Sequence, residues 1–379
     1  MDCRDKNQGG QADFSACNIA PAAPALTAPA ARRRYCTAPP RVVEKISTVL
    51  FHGHFFIAGA FAYTAVPPAA NVPRMLPTID CQSLDHRALH AACRDWGFFI
   101  LQGHDIDPAL IDHGLGVTSE FFAQPLEYKN RIRRSADNCW GYYDAELTKN
   151  RRDWKEILDI GPTVSAGPLR GATPQWPDLP GHREVLSQLA DAMHRTALAL
   201  VNEIAQCLDS QVDLAAAFGA HSSFLRLNFY PPCPNAATDT DNFIPAAGEL
   251  GISHHSDAGA LTVLVQDGQP GLQVYHDDRW LEVDSRRGAI VINIGDVVQV
   301  WSNDVYRAPL HRVMANTQAS RISMPYFLNP AYSYNYAPLQ GTPRYRPINW
   351  GEFRAQRSAG DYADLGAEVQ ISDYALPDA

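Results

Sequence analysis

The residues in this chain best suited to chemistry lie in LGISHHSDAG (250–259), where two histidines are followed by a serine and an aspartate. On an extended backbone successive side chains alternate between faces. His255 and Asp257 therefore share a face, and His254 points away from it. One imidazole and one carboxylate make an incomplete metal site, and His-x-Asp alone is a weak signal. His311, in APLHRVM, opens a later strand, and 311 − 257 = 54 residues leaves room for intervening hairpins to return to the same mouth.

Two neutral imidazoles and one carboxylate leave positions open on a metal, the arrangement of non-haem Fe(II) oxygenases. Zinc accepts the same ligands, so the triad alone leaves the metal open. Ten residues past His311 comes RISMPYF, whose Arg321, Ser323, Pro325 and Phe327 share one strand face. That spacing sends a guanidinium and a hydroxyl together toward the metal. A buried guanidinium requires an anion, and its planar fork suits a carboxylate. Tyr230, on the polar face of NFY (228–230), is placed to donate a further hydrogen bond. A dicarboxylate keto acid could chelate the metal at one end and reach Arg321 with the other.

These side chains need a β scaffold, and the second half of the chain supplies it. SFLRLNFY (223–230) alternates, with Leu225, Leu227 and Phe229 on one face and Arg226, Asn228 and Tyr230 on the other. ALTVLVQ, GLQVY, RWLEV, AIVINI, VVQVWS, LHRVM and RISMPYFL follow as predicted strands, separated by DGQPG, HDD, RRG, IGD and SND. Many short strands at this spacing predict a sandwich, jelly roll or barrel.

The first half supplies helices and two strands, RMLPTIDC and WGFFIL. Ser83 is the predicted cap of a helix carrying Leu84, Ala88, Ala92 and Trp96 on its apolar face. Asp107-Pro108 opens a second helix with Ile111, Leu115 and Phe122 on one side. A third spans about 183–208, with Leu186, Leu189, Met193, Ala197, Leu200, Ile204 and Leu208 as a buried stripe. Trp154, in RRDWKEILD, is read as a fold anchor and Cys233 as a packed thiol.

The whole chain of 379 residues is 46% hydrophobic and 19% charged, the balance of a globular protein with a sizeable core. Its net charge of −9 argues against a nucleic-acid surface. Cys3, Cys17, Cys36, Cys81, Cys93, Cys139, Cys207 and Cys233 form no CxxC pair, so reduced thiols in the cytoplasm are expected. Residues 1–74 stand apart: NIAPAAPALTAPAARRR is low-complexity and cannot bury enough apolar surface to fold alone. VLFHGHFFIAGAFAYTAV (49–66) is at the short end of a membrane span and is weakened by His52, Gly53, His54 and Gly59. The favoured reading of 1–74 is a disordered extension or a mis-start with Met75 as the true beginning; a targeting or anchoring segment is the alternative.

Taken together, the His-x-Asp pair, the histidine 54 residues on and the Arg-x-Ser after it resemble the Fe(II)/2-oxoglutarate-dependent dioxygenases of the isopenicillin N synthase-like class. NFYPPCP (228–234), GDVVQVWSNDVYRAPLHRV (295–313) and RISMPYFLNP (321–330) are similar to that class, as are LPTID, CRDWGFFIL and FFAQPLEYK. The likeness covers about 75–372. QGHDI (102–106) departs from the NHGI of many members, away from the metal.

The resemblance implies a mainly β fold with packed helices: a double-stranded β-helix (jelly-roll) core over 216–372, an N-terminal helical and strand region over 75–215, and a tail over 373–379. It implies Fe(II) on His255, Asp257 and His311. It places the distal carboxylate of 2-oxoglutarate on Arg321 and Ser323, with Tyr230 assisting and Asn228 beside them. Phe327 aligns with an aromatic that meets substrate in some relatives. O2 is the co-substrate, and ascorbate is admitted as an accessory reductant. The implied activity is hydroxylation, desaturation or cyclisation of a small organic metabolite, with release of succinate and CO2. A monomer with a small-molecule substrate and no nucleic-acid partner is expected, and membrane contact only if 49–66 anchors. The competing readings are an oxidase of the same class that does without 2-oxoglutarate, a non-catalytic jelly-roll binding protein and, more distantly, a hydrolytic zinc enzyme.

Overall fold

The computed structural model describes residues 75–377, apart from 136, 166, 168, 240 and 362–365. The expectations for residues 1–74, including 49–66, lie outside the described residues. The strands that build the site are β1 (Thr78–Asp80), β2 (Phe98–Gln102), β3 (Gly141–Tyr143), β4 (Glu156–Ile160), β5 (Phe224–Tyr230), β6 (Leu250–His255), β7 (Leu261–Gln266), β8 (Leu272–His276), β9 (Arg279–Glu282), β10 (Ile290–Ile294), β11 (His311–Met314) and β12 (Arg321–Leu328). They form an eight-stranded sheet in the order β1-β2-β10-β7-β12-β5-β4-β3 and a four-stranded sheet in the order β9-β8-β11-β6. The larger sheet takes four of its eight strands, β1 to β4, from residues before 216.

The period of two along each strand explains why both sheet faces are filled. On β2, Phe99 and Leu101 join the main core, whereas Phe98 and Ile100 join a second core with Tyr230, Leu264, Leu272, Val274 and Val313. The second core draws on both sheets, so it is the interior of the jelly roll. The main core lies on the other face of the large sheet, under helices α1 (His86–Asp95), α2 (Pro108–Phe122) and α3 (His182–Gln206). Each fully buried Leu or Ile contributes about 1.5–3 kcal/mol. The outward set on β7, β10 and β12 is Leu261, Val263, Val265, Ile290, Ile292, Ile294, Ile322, Met324, Tyr326 and Leu328, all buried under the helices. Polar residues are thereby left to the inward face.

Helix α2 starts as read, with Asp107 accepting from the Ala109 amide and Pro108 in the first turn. The stripe on α3 is buried from Leu186 to Ile204, and Leu208 is buried just beyond the helix end. Two expectations are corrected. Helix α1 is capped by Asp85, not Ser83, which closes a short 3-10 turn; its buried face is Leu89, Ala92 and Cys93, and Ala88 is exposed.

VVQVWS is not a strand. Asp296–Trp301 is a short helix, α4, whose Val297, Val298, Val300 and Trp301 are buried. Its β-branched residues favour a strand locally, but tertiary contacts override that preference. The Asp296 and Val297 amides donate to the carbonyls of Asp257 and Gly259 at 2.8 and 3.1 Å, so the loop carrying Asp257 satisfies the helix start. A side chain at Gly295 would strike those same carbonyls, which is why glycine stands there.

Candidate active site

β6 and β11 are antiparallel neighbours in the smaller sheet, with His255 paired opposite His311. Asp257 lies just past the end of β6, on the loop that α4 braces. The two imidazole rings are 4.3 Å apart between centroids. Asp257 Oδ1 lies 3.7 Å from His255 Nε2 and 3.6 Å from His311 Nε2. One ligand atom from each of the three residues falls within 4.8 Å of the others, a set able to hold one metal ion, and the only such group among the described residues. His254 is turned away from it, against the ring of Phe243.

The surrounding bonds aim these atoms. His255 Nδ1 meets the Ser253 carbonyl at 2.8 Å, and His311 Nδ1 meets the Pro309 carbonyl at 3.1 Å. Each contact calls for a proton on Nδ1 and leaves the Nε2 lone pair toward the shared centre. Asp257 Oδ2 accepts from Thr262 Oγ1 at 2.5 Å and from Asn293 Nδ2 at 2.8 Å, which leaves Oδ1 to the imidazoles. Burial, together with the neighbouring His311, drives the pKa of His255 down to about 3 against the pull of Asp257. Burial works against ionisation of Asp257, but His311, His255 and the bonds from Asn293 and Thr262 outweigh it and hold the carboxyl below its usual range. A neutral imidazole beside an ionised carboxylate is the form that ligates a divalent metal.

A chain of contacts ties β6 to a buried ionic cluster. The Ser253 amide donates to Asp153, which pairs with Lys155 at 2.9 Å; Lys155 also pairs with Glu146 at 2.7 Å. Trp154, between them, donates its indole N–H to the Pro231 carbonyl, a structural contact. Cys233 is a fully buried thiol, and the described cysteines are all unpaired.

Arg321, Ser323, Pro325 and Phe327 face inward from β12, and Asn228 and Tyr230 face inward from β5. Arg321 is 2% exposed. Its Nη2 donates to Gln266 Oε1 at 2.8 Å, its Nε to the Gln269 carbonyl at 3.3 Å, and its guanidinium sits 5.0 Å over the Tyr230 ring. Arg321 Nη1 is buried with no partner among the described residues. A buried, unpartnered guanidinium nitrogen is costly unless an anion completes it. Ser323 Oγ accepts from Asn228 Nδ2 at 3.3 Å, and Asn228 Oδ1 is likewise unpartnered. Leu264, Leu272 and Val313 line the same cavity as Arg321 and the histidines, so its lining suits a short hydrocarbon link with an anionic end. The fit extends to a 2-oxo acid, whose other end meets the two imidazoles and the carboxylate.

All the site residues named from the sequence line one cavity, together with others it did not single out. The missed ones include Thr262 and Asn293 on Asp257 and Lys155 with Glu146; Gln266, behind Arg321 and not in the lining, was missed as well. A polar residue at an inward position of an otherwise apolar strand was the available signal: Asn293 in AIVINI and Gln266 closing TVLVQ.

The profile of the 2OG-Fe(II) oxygenase superfamily matches residues 221–330, and that of the N-terminal region of non-haem dioxygenases in morphine synthesis matches residues 76–179. Jasmonate-induced oxygenase 1 of Arabidopsis thaliana is 31% identical over 320 residues, covering 78% of this chain and 76% of its own. Gibberellin 2-beta-dioxygenase 6 of Oryza sativa subsp. japonica is 32% identical over 328 residues, covering 80% and 86%. Among solved structures, JOX2 in complex with 2OG, Fe and JA superposes with a TM-score of 0.67 at 29% identity, over 80% of this chain and 89% of that one. A full-length Neurospora crassa protein, solved in complex with alpha-KG, gives 0.66 at 23% identity, over 76% and 96%, which bears on the fold alone. The chain belongs to the 2OG-Fe(II) oxygenase superfamily. It is an Fe(II)- and 2-oxoglutarate-dependent dioxygenase acting on a small organic metabolite, and its fold is the jelly roll of that group. Among the described residues no helix is long and apolar enough to cross a membrane.

Proposed function

We propose that His255, Asp257 and His311 hold the iron, and that Arg321 and Ser323 hold the far carboxylate of 2-oxoglutarate, with Tyr230 and Asn228 beside them. The observation that carries this assignment is the pairing of a three-residue metal-ligating group with an orphaned Arg321 Nη1 in one cavity. Bound there, Fe(II) and 2-oxoglutarate supply oxygen activation coupled to oxidative decarboxylation. The protein's own part is positional. Ser253 and Pro309 fix the histidine tautomers, and Thr262 and Asn293 leave one Asp257 oxygen for the metal. Tyr230 supports the guanidinium from below. Phe327, further along β12, faces the part of the cavity left for the organic substrate.

The product is a hydroxylated, desaturated or cyclised small metabolite, formed by a monomeric, cytoplasmic enzyme whose catalytic unit covers 75–372. Arg321 would accept the carboxylate of either kind of ligand, so the preference for 2-oxoglutarate dependence over an oxidase that lacks it rests on the likeness to 2OG-Fe(II) oxygenases. The test is a metabolite screen with Fe(II), 2-oxoglutarate and O2, read as succinate release. Succinate formed in step with an oxidised product supports the reading. Substrate oxidation without consumption of 2-oxoglutarate overturns it.

A further inference from the structure

Among the described residues five cationic side chains line the cavity: Lys155, Arg226, Arg321, Arg354 and Arg357. Three already hold partners. Lys155 lies between Glu146 and Asp153. Arg226 forks onto Asp159 and Glu146, with all four bonds between 2.7 and 3.0 Å. Arg357 donates to the carbonyls of Val369 and Ser256 and to Gln370 Oε1. Arg321 has one nitrogen free, which the keto acid takes up.

Arg354 is different. It projects from the helix Trp350–Ala359, is half-buried, and makes no hydrogen bond or ion pair with any described residue. Asp361 is near enough to feel its charge but does not form an ion pair with it. A guanidinium has five N–H donors in a planar fork that matches a carboxylate, so this one is a ready anion receptor. It is also separate from Arg321: it borders a smaller adjoining cavity with Phe224 and Asp361, whereas Arg321 does not. Beside it stand the Phe224 and Phe327 rings, 4.9 Å apart, with the already paired Arg226 guanidinium 5.8 and 5.9 Å from their centres, and Pro325 is next along β12.

We propose that the organic substrate is a carboxylate with an apolar body, its anionic group received by Arg354 and its hydrocarbon part laid against Phe224 and Phe327. This rests on the reading of the cavity as the oxygenase active site. Two cationic receptors in one cavity let substrate and 2-oxoglutarate bind together without competing for either. A neutral substrate would leave Arg354 without a hydrogen-bonding partner among the described residues, at the cost of a partly desolvated charge.

The experiment uses the full chain with Fe(II), 2-oxoglutarate and O2. The probes are phenylacetate, indole-3-acetate, cyclohexylacetate and decanoate, each compared with its methyl ester, and the readout is succinate release above the substrate-free rate. At least one acid is expected to stimulate release at least about tenfold more effectively, as kcat/KM, than its ester. Arg354→Gln should lower that acid's kcat/KM by about ten- to a hundredfold, the loss of a charge-assisted contact. Arg354→Lys should recover part of it, and Arg87→Gln, on an exposed helix face, should match the parent. Esters as effective as acids, no acid that stimulates, or an Arg354→Gln loss shared equally by acid and ester would each overturn the proposal. The acid-ester comparison needs only the parent chain, so it decides the matter even if a variant fails to fold. Substrate-free succinate formation without acid preference removes this inference alone; failure to bind or consume 2-oxoglutarate removes the functional reading beneath it.

Discussion

Replacing Arg321 by alanine tests the keto-acid half of the site, and the structure sets the size of the effect. The guanidinium is 2% exposed, with Nη2 and Nε already spent on Gln266 and the Gln269 carbonyl. Only Nη1 is free, so its contribution to an incoming carboxylate is one or two charge-assisted bonds, about 1.5–3 kcal/mol each. A loss of about 3 kcal/mol corresponds to an increase of roughly 150-fold in the 2-oxoglutarate concentration required. Arg321→Lys keeps the charge but loses the fork, and should fall between parent and alanine. The assay is succinate release against 2-oxoglutarate concentration, paired with anaerobic Fe(II) titration of the same proteins. Iron affinity should change less than about threefold, because none of the three metal-ligating residues touches Arg321. A 2-oxoglutarate requirement that moved less than about threefold, or iron binding lost along with it, would refute the reasoning.

Three further outcomes follow from the same geometry. His255→Ala should abolish Fe(II) binding and turnover while His254→Ala retains both, measured by anaerobic titration and succinate release; full activity in His255→Ala would reverse the choice between them. Asn293→Ala removes a 2.8 Å bond to Asp257 Oδ2 and should weaken Fe(II) binding by about ten- to a hundredfold without loss of the fold, as read by titration and circular dichroism. Burial, with His221 beside it, pushes the pKa of His194 down to about 4, and burial also lowers His221. Between the unfolded value of about 6.5 and the folded value the unfolded chain binds more protons, so stability contributed by these rings is present above that window and lost as pH falls through it. The melting temperature should drop from pH 7 to pH 4, and His194→Gln should flatten that limb; an unchanged slope would count against it.

Much of the scaffold was legible because strand alternation is a local property. The inward set on β5 and β12 could be read from SFLRLNFY and RISMPYFL, since a polar residue at every second position has only one face to occupy. That His255 and Asp257 share a face was legible for the same reason, and the family resemblance added His311, which the structure brings within 4.8 Å of them. What escaped depended on distant contacts. Asp296–Trp301 carries strand-forming residues, and its helical form goes with distant contacts: the carbonyls of Asp257 and Gly259 that cap its start and the burial of Val297, Val298, Val300 and Trp301. The face of α1 was misplaced by one residue because Leu84 and Ala88 share its periodicity with the Leu89, Ala92 and Cys93 that are buried. Arg354 carries no local mark at all: its significance comes from the partners that Arg226, Arg357 and Lys155 have and that it lacks among the described residues.

Anomalous diffraction at the iron edge, from crystals grown without oxygen in Fe(II) and 2-oxoglutarate, measures the central assignment most directly. One strong peak is expected among His255 Nε2, His311 Nε2 and Asp257 Oδ1, with the far carboxylate of the keto acid against Arg321 Nη1 and Ser323 Oγ. A peak elsewhere, or a keto acid whose carboxylate leaves Arg321 Nη1 bare, would contradict it.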